Sequence, residues 1–505
     1  MTQQAPVRFR SGAGAWEPWD VSPSDTDPAT FRRVAVVGAG IAGLAAGAAV
    51  RRAVPDAEVV VLEASRSVGG KLALAEVGGV RVDVGAESML NRRPEATALA
   101  REAGLADRLV HPSSTTASLW SRGRLLAMPR TLMGVPTDVR LLAESAVLSE
   151  PGLARVATEP DLPAISLDDR DVSIGWLVEQ RFGPEVVDRL VEPMLGGVYA
   201  GHAHEISARA AVPQVVALLD QDRSMLRAAA LATARTSDVP VFAGLVGGLG
   251  RLPEAVALAA GLDVRTGSTV RRLTRRTHGW ELTVGPTARP ETLHADAVLV
   301  ATPAQPAARL LADVAPAAAA ELSGIEYASM AVITLAVLAR DLPPTRGSGF
   351  LVPPVDGRSV KAATFSFAKW DWVRAAGLGT LDRRGLPEDV LLLRCSIGRH
   401  RDEAVLHRSD DELVTLALAD LGDAIGLRAV PVDAHVQRWG GALPQYAVGH
   451  VDRIRRIRDS VAEVPGLAVC GAAYDGLGLP ACIASAELAA TQVLAALRPQ
   501  GTLGA

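Results

Sequence analysis

The most informative hydrophobic pattern of the chain lies between two arginine pairs near its start. Residues 34 to 50 carry no charge, and valines stand at positions 34, 36 and 37 before a glycine-rich stretch. A β-branched run that ends at a glycine predicts a buried strand, and the alanine-rich run after it predicts a helix. A membrane span would need about twenty apolar residues, and an export signal would begin closer to the N-terminus. The pattern therefore predicts a strand, a tight turn and a helix.

The glycines of this turn have the spacing G-x-G-x-x-G at Gly38, Gly40 and Gly43. In such a turn the first glycine permits the sharp bend, the second lets a pyrophosphate approach the backbone, and the third lets the helix pack on the strand. The helix then presents unpaired N–H groups to the phosphates. A second apolar strand, AEVVVLEAS, ends at Glu63, twenty residues after Gly43. Because a ribose-binding acid is expected at that distance, we predict a dinucleotide site.

Two further glycine-rich turns extend this prediction. Gly69, Gly70 and Lys71 follow the acidic residue, and a second close backbone approach with a cation suits a cofactor whose pyrophosphate contacts more than one loop. At the other end, GLAVCGAAYDGLGLPACIASAELAATQVLAAL predicts a strand, a turn and a helix from about Pro480. This helix either directs its N-terminus at an electron-rich group of the cofactor or only closes the sheet.

These anchors fall at the start, in the middle and at the end of the chain. They predict an α/β fold in which a Rossmann-like domain is assembled from residues 31–95, 240–305 and 435–500. Residues 96–205 have helical periodicity and predict a helical inserted domain. Residues 306–434 mix helical and strand-like runs, and together with residues 206–239 they are predicted to form an α+β substrate-binding domain. Residues 1–30 are predicted to form a flexible tail.

Composition narrows the function classes. The chain has 505 residues, is 49% hydrophobic and has a formal net charge of −4, so a nucleic-acid binder with a basic face is not expected. Three scattered cysteines predict neither a disulfide framework nor a zinc site. We expect a cytoplasmic protein with no metal and no membrane-spanning segment. Peripheral membrane attachment through the helices of residues 96–205 stays open as an alternative.

Several motifs of the chain resemble the FAD-dependent porphyrinogen oxidases of haem biosynthesis, which are relatives of monoamine oxidases and phytoene desaturases. VVGAGIAGLAAG, LEASRSVGGK, GAES, VGGLGRLPEAVA, ADAVLVATPA, WGGALPQYAVGH and CGAAYDGLGLPACIASA occur in that family's order. The N-terminal motifs are common to the whole superfamily and imply FAD. RLVEPMLGGVYAGHAHEISARAAVPQV and PQYAVGH are more specific to the porphyrinogen oxidases. The resemblance covers about residues 31 to 495.

The resemblance implies a set of cofactor-binding residues. The pyrophosphate, the adenosine and the isoalloxazine ring would contact Gly38, Ala39, Gly40, Ile41, Ala42, Gly43, Glu63, Ala64, Lys71, Gly85, Ala86, Glu87, Ser88, Val270, Trp439, Gly476, Leu477, Gly478 and Leu479. Two departures stand in the last motif. Ala486 replaces a usual glycine and should affect packing, while Ala481 stands where an acid is common and bears on contacts near the ring.

The implied activity is the oxidation of a porphyrinogen in three two-electron steps, with molecular oxygen as the final acceptor and hydrogen peroxide as product. Overall resemblance favours coproporphyrinogen III, and protoporphyrinogen IX is the alternative. Arg92 and Arg93 are candidates for the propionates of the substrate, because guanidinium binds carboxylate bidentately. No motif identifies a catalytic acid or base. An amine oxidase or desaturase, and a non-catalytic flavoprotein that contacts haem enzymes such as a ferrochelatase, remain alternatives.

Overall fold

A parallel sheet forms the centre of the molecule. The structure is a computed structural model that describes residues 33–234, 239–383 and 386–497, so the predicted tail lies outside the described residues. The five parallel strands lie in the spatial order Asp263–Arg265, Glu58–Leu62, Arg33–Val37, Ala297–Val300 and Leu467–Val469. They come from three separated regions of the chain. The prediction of an α/β fold with a discontinuous Rossmann-like unit is confirmed.

Both faces of this sheet are buried, which explains the continuous apolar run of the first strand. Val34 and Val36 pack in the same core as the helices Ile41–Ala53 and Leu479–Leu497. Ala35 and Val37 pack in a second core on the opposite face. That second core is built from three antiparallel strands and three helices, Val270–Arg275, Trp280–Val284, Glu291–Ala295, Ala304–Leu311, Pro316–Ser323 and His450–Ala462.

A second, antiparallel sheet covers one side of the molecule. Its seven strands lie in the order Asp433–Pro444, Tyr327–Leu338, Val390–Ile397, Val360–Phe365, Gly349–Leu351, Ser118–Ser121 and Arg124–Ala127. One neighbouring pair, Gly349–Leu351 with Ser118–Ser121, is parallel. Ile333 and Leu335 pack in the same core as the helix Asp410–Ile425. Because side chains alternate along a strand, Met330, Thr334 and Ala336 point to the opposite face.

A helical layer occupies the centre of the sequence. Its helices are Val139–Ser145, Glu150–Ala157, Ile174–Phe182, Pro184–Val186, the π-helical turn Val187–Val191, Glu192–Tyr199, Ala208–Ala211, Pro213–Val216 and Met225–Ala234. They share one hydrophobic core. The layer differs from the predicted division, because residues 96–205 include strands as well as helices. Residues 118–127, expected to be helical, supply two strands of the antiparallel sheet, and the helices within 208–234 pack with the preceding helices.

Shorter elements connect these units. The hairpin Leu74–Val77 and Val80–Asp83 packs against the antiparallel sheet. A three-stranded sheet joins Met89–Leu90, Phe242–Leu245 and Leu109–Val110. The helices Glu95–Glu102 and Leu252–Ala259 lie beside the first helix, and Ser366–Lys369 and Asp371–Ala376 follow a strand of the antiparallel sheet. The strand pairs Thr131–Leu132 with Val135–Pro136 and Leu381–Arg383 with Leu386–Glu388 complete the described strands.

The last helix has the length and apolar composition of a membrane span. Among the described residues it is the one helix that meets both criteria, over Leu479–Ala496. More than half of that window, 56%, is buried inside the protein. Its residues Ile483, Ala486 and Ala490 share a core with the first helix, so it serves as a core helix of this fold.

A fully buried ion pair stabilises the helical layer. Glu159 and Arg181 have side-chain exposures of 0% and 1%. Arg181 Nε donates to Glu159 Oε1 at 2.7 Å, and the carboxylate also accepts from Ser224 Oγ at 2.6 Å and Met225 N at 2.9 Å. Glu159 therefore joins the helix Ile174–Phe182 to the start of Met225–Ala234. Removing its charge would leave the guanidinium buried without a counter-charge, which is costly.

We predict that Glu159→Gln lowers the free energy of unfolding by about 3 kcal/mol. The measurement is urea unfolding followed by circular dichroism. Glu144→Gln is the matched control, because Glu144 forms an exposed pair with Arg140 in the same layer and should change stability by less than about 0.5 kcal/mol. Equal stability of the two variants would contradict the assigned role of Glu159.

Candidate functional site

The turn after the first strand is shaped by close backbone contacts. Gly38 has φ +106°, and a Cβ there would lie 2.9 Å from the carbonyl oxygen of Ala301. A Cβ on Gly43 would overlap the carbonyl oxygen of Gly38, whereas a Cβ on Gly40 would meet nothing within 4 Å. The absence of side chains at Gly38 and Gly43 lets the helix pack against the strand. At Gly40 there is open space above the backbone. This geometry fits a pyrophosphate of a dinucleotide at the start of the helix.

Glu63 lies at the end of the neighbouring strand and contacts this turn. Its Oε2 accepts a hydrogen bond from Ala39 N at 2.8 Å, and its Oε1 accepts from Ser65 N at 2.8 Å. Its carbonyl oxygen accepts from Ser268 N at 2.7 Å. The last contact places the segment that leads into Val270 beside Glu63. The structure thus brings Ala39, Glu63 and the segment before Val270 to one edge of the parallel sheet. Ala64 is exposed at that edge.

The second glycine turn packs directly on the first. Gly69 N donates to the carbonyl oxygen of Ala39 at 2.8 Å, and Gly70 lies against Gly40. Lys71 follows, and burial lowers its pKa from the ordinary value while the nearby thiol of Cys482 acts to raise it. No hydrogen bond or ion pair holds its ammonium within residues 33–234, 239–383 and 386–497. A cation without a counter-charge beside two glycine turns fits an anionic cofactor group.

The C-terminal motif reaches the same region from the opposite end of the chain. The strand Leu467–Val469 leads through Gly471, which lies close to Ala42, to the turn at residues 476–478. Cys482 N donates to Gly478 O at 3.0 Å, and Leu477 packs against the core of the helical layer. The final helix begins at Leu479, one residue before its predicted start at Pro480. Ala481 packs close to Gly476, and Ala486 is fully buried in the core.

The segment Gly85–Ser88 is where the two large sheets meet. A Cβ on Gly85 would overlap the carbonyl oxygen of Lys71 and lie 3.2 Å from the ring of Trp439. Trp439 Nε1 donates to Val84 O at 3.1 Å, and Ala86 N donates to Lys71 O at 3.1 Å. The sequence-predicted Trp439 therefore lies directly beside the sequence-predicted Gly85, although 354 positions separate them.

Two cations that the sequence analysis missed hold this segment. Lys369 Nζ donates to Glu87 Oε1 at 2.7 Å and to Ser88 Oγ at 2.8 Å. Arg394 Nη1 donates to Glu87 Oε2 at 2.6 Å, and its Nη2 donates to Gly85 O at 2.5 Å. Neither cation lies near a glycine motif. Two features of the sequence could have pointed to these residues. Lys369 is one of only three lysines in the chain, and Arg394 interrupts the apolar strand VLLLRCSIG.

The charges of this cluster keep Glu87 ionised. Burial acts to raise its pKa, but the ammonium of Lys369 and the guanidinium of Arg394 outweigh burial and hold the pKa at about 2, below the ordinary 4.5. The next acid, Asp83, accepts hydrogen bonds from Leu249 N and Gly250 N, each at 2.9 Å. Burial raises the pKa of Asp83 to about 6 despite these bonds.

The register of the antiparallel sheet places Arg394 and Trp439 on one face. Arg394 lies opposite Thr334, and Trp439 lies opposite Met330 on the same strand. Thr334 and Met330 are four residues apart, so their side chains point the same way. The face that they share lies against Gly85–Ser88.

The two family-specific motifs contact each other. Gln445 Nε2 donates to Tyr199 O at 2.8 Å, and Ser207 N donates to Tyr446 O at 2.7 Å. The rings of Tyr199 and Tyr446 lie 5.6 Å apart. Tyr446 Oη also donates to Ala472 O at 2.6 Å, in the C-terminal cofactor motif. PQYAVGH therefore links the helical layer to the parallel-sheet unit.

Arg92 and Arg93 lie apart from the Glu87 cluster. Both side chains are exposed, and Arg93 forms an ion pair with Glu95 two residues later. Within the described ranges, no hydrogen bond or ion pair joins either arginine to Glu87, Lys369 or Arg394. Arg92 and Arg93 follow GAES closely in sequence, but the strand Met89–Leu90 between them pairs with Phe242–Leu245 and leads the chain away from Glu87.

Comparison with known proteins identifies the family. The family described as "Flavin containing amine oxidoreductase" matches residues 41–494. The chain belongs to this family. FAD is accordingly its cofactor, and the protein is an FAD-dependent oxidoreductase. The glycine turns, Glu63 and the unpartnered Lys71 fit that group.

Individual relatives of this flavin oxidoreductase are similar over most of its length. A coproporphyrinogen III oxidase of Mycobacterium tuberculosis is 38% identical over 93% of this chain and 99% of its own. One of Bacillus subtilis is 29% identical over 92% of this chain and 98% of its own. A crystal structure described as a protoporphyrinogen oxidase from Exiguobacterium has a TM-score of 0.80 and 30% identity, and covers 92% of this chain and 99% of its own. The resemblance to porphyrinogen oxidases is confirmed.

We predict that Gly43→Ala weakens FAD binding at least about tenfold, because the added methyl group would push the helix away from the strand. Flavin absorbance per protein after purification, and titration of the apoprotein with FAD, measure the effect. Gly197→Ala is the control, since a Cβ at Gly197 makes ordinary contact with Leu351 within a helix. A Gly43→Ala protein with the same flavin absorbance per protein as the wild type would contradict the role of this turn in FAD binding.

A second prediction concerns Glu87 and pH. Because the folded-state pKa is depressed, ionised Glu87 stabilises the protein above its ordinary pKa of 4.5, and this contribution is lost as pH falls from 4.5 toward 2. Glu87→Gln should therefore be less stable than wild type near pH 7, and the difference should narrow below about pH 4.5. Urea unfolding of both proteins across this range measures it. A difference in unfolding free energy between the two proteins that is the same at every pH would contradict the pairing of Glu87 with Lys369 and Arg394.

Proposed function

We propose that this protein oxidises coproporphyrinogen III to coproporphyrin III with molecular oxygen as acceptor. The observation that carries the proposal is the similarity to coproporphyrinogen III oxidases along nearly the whole chain. The substrate loses six electrons and six protons in three two-electron steps, and three molecules of oxygen become three molecules of hydrogen peroxide. FAD, when bound, supplies the redox chemistry by accepting these electrons and passing them to oxygen.

The roles of individual residues belong to this proposal. Residues 38–43, Glu63 and Lys71 would bind the phosphates and ribose, and Val270 would contact the adenine through its backbone. Gly85–Ser88 and Trp439 would border the ring, and residues 476–479 would contact it from the C-terminal side. The close packing of these segments in the structure supports a single binding site. The chain contributes positioning and exclusion of water, and we assign no side chain as a catalytic acid or base.

The charge of the site suits a carboxylated substrate. Lys369 and Arg394 place two cations around one carboxylate beside the face that carries Trp439. A porphyrinogen presents a large apolar body with propionates at its edge, and guanidinium and ammonium groups are the usual partners of such anions. Arg92 and Arg93 stay candidates for the outer propionates, because their exposed guanidinium groups remain accessible from solvent.

Protoporphyrinogen IX is the second candidate substrate. It is favoured by the similarity to the Exiguobacterium structure, which is described as a protoporphyrinogen oxidase. Amine oxidation is less favoured, because the specific motifs at residues 189–215 and 444–450 resemble the porphyrinogen oxidases. A flavoprotein without catalytic activity is the remaining alternative.

Location and partners are also proposed. We propose a cytoplasmic protein that makes at most peripheral contact with a membrane and transient contact with a ferrochelatase that would receive its product. The proposed limits of the three domains are those derived from the sequence, with the strands of residues 118–127 assigned to the substrate-binding sheet and the helices within 208–234 to the helical layer.

We predict that anaerobic mixing of the purified flavoprotein with coproporphyrinogen III bleaches the flavin absorbance, and that admission of oxygen restores it with formation of coproporphyrin and peroxide. We further expect kcat/KM for coproporphyrinogen III to exceed that for protoporphyrinogen IX at least about tenfold, a difference of about 1.4 kcal/mol in transition-state binding. An unchanged flavin spectrum with both substrates would contradict the proposed activity. A preference for protoporphyrinogen IX would overturn only the substrate assignment.

A further inference from the structure

The strongest polar cluster beside the assigned cofactor motifs is the one around Glu87, in which Lys369 and Arg394 belong to none of those motifs. Its three members come from the turn after Val80–Asp83, from the helix Ser366–Lys369 and from the strand Val390–Ile397. The side chains of Glu87, Lys369 and Arg394 are 14%, 18% and 11% exposed. Nearly complete burial of three charges is unfavourable unless they are fully paired, so their retention calls for a specific use.

The cluster holds both ends of the Gly85–Ser88 segment. Arg394 binds the carbonyl oxygen of Gly85, and Lys369 binds the hydroxyl of Ser88, while both cations share the carboxylate of Glu87. Substituting either cation frees one end of the segment. Besides the backbone bond from Ala86 N to Lys71 O, the four residues are therefore held by side chains of Lys369 and Arg394.

The cluster places two buried cations beside the ionised carboxylate of Glu87. The low pKa of Glu87 keeps that carboxylate charged at neutral pH. Asp83, a further acid that interacts with Arg394, has a pKa of about 6 and offsets part of the positive charge at neutral pH, while its carboxylate accepts from the amides of Leu249 and Gly250. Each buried charge acts over several ångströms with little screening.

We propose that Lys369 and Arg394 are positioning residues that fix the Gly85–Ser88 segment beneath the flavin ring and raise the reduction potential of the bound cofactor. The inference rests on the proposed placement of that segment beside the ring. Reduction adds negative charge to the cofactor, so the positive charges of Lys369 and Arg394 stabilise the reduced form relative to the oxidised form. Glu87 opposes this effect in part and serves to orient the two cations.

The test uses charge changes of opposite sign in the FAD-loaded protein. Lys369→Met removes one cation and should shift the reduction potential to a more negative value. Glu87→Gln removes the carboxylate and should shift it to a more positive value. Each shift should change the reduction equilibrium against a reference dye by about tenfold or more, as expected for a charge several ångströms away in a partly buried site. The measurement is anaerobic dye-equilibrated reduction followed by absorbance.

Matched variants separate charge from structural damage. Lys369→Arg keeps the charge and should remain close to the wild-type potential, and Glu87→Gln combined with Lys369→Met restores the net charge and should lie between the single variants. Arg276→Met, which removes a solvent-exposed cation from a pair with Glu281, should leave the potential unchanged. Urea unfolding of the apoproteins reports any loss of stability separately.

Shifts in opposite directions for Lys369→Met and Glu87→Gln would support the proposal. Shifts in the same direction, or a wild-type potential in Lys369→Met, would overturn it. If Lys369→Met fails to retain FAD, Arg394→Gln, which removes the other cation of the cluster, should shift the potential in the same negative direction and decides the question. The result is independent of the substrate assignment: an enzyme that does not oxidise coproporphyrinogen III but shows the opposed shifts would refute the proposed function and leave this inference standing.

Discussion

The structure depends on one steric constraint, the contact between the first helix and the first strand at Gly43. Only a residue without a side chain allows the helix to begin directly above Gly38. This contact places the free N–H groups of the helix at the edge of the parallel sheet, where the neighbouring strand ends at Glu63. The second glycine turn then packs on the first. The proposed cofactor site at residues 38–43 and 69–70 is thus made mainly of backbone atoms. Its shape depends on close packing of the chain more than on particular side chains.

A second close contact, at Gly85, couples this site to the antiparallel sheet. The absence of a side chain there lets the loop lie against Lys71 and lets Trp439 approach from the other unit. Arg394 and Lys369 then complete the connection through Glu87. The same residues that join the two units also form the charged surface on which the ring is proposed to lie. Structural cohesion and tuning of the cofactor would therefore share one set of contacts.

The local part of this arrangement could be predicted from the sequence. The strand before Gly38, the helix after it, the strand ending at Glu63 and the final helix all follow from short-range patterns of valine, alanine and glycine. These patterns are informative because backbone geometry alone decides them. The family motifs extended the prediction to Trp439 and to Gly85–Ser88, which the structure brings into contact.

The long-range part could not be predicted in this way. Lys369 and Arg394 reach Glu87 across more than 280 positions, and nothing in their neighbouring residues marks the partner. Glu159 lies in a polar stretch that looks exposed, yet it is fully buried because Arg181 and Ser224 are folded around it. Residues 118–127 join a distant sheet through pairing with Gly349–Leu351, which the local pattern does not contain.

The measurement that tests the central claim most directly is a crystal structure of the FAD-loaded protein. We expect density for the pyrophosphate above Gly40, a ribose hydroxyl hydrogen-bonded to Glu63, and the ring beside Gly85–Ser88 and Trp439. Density for the ring on another surface, or a pyrophosphate that does not contact the turn at residues 38–43, would contradict this account.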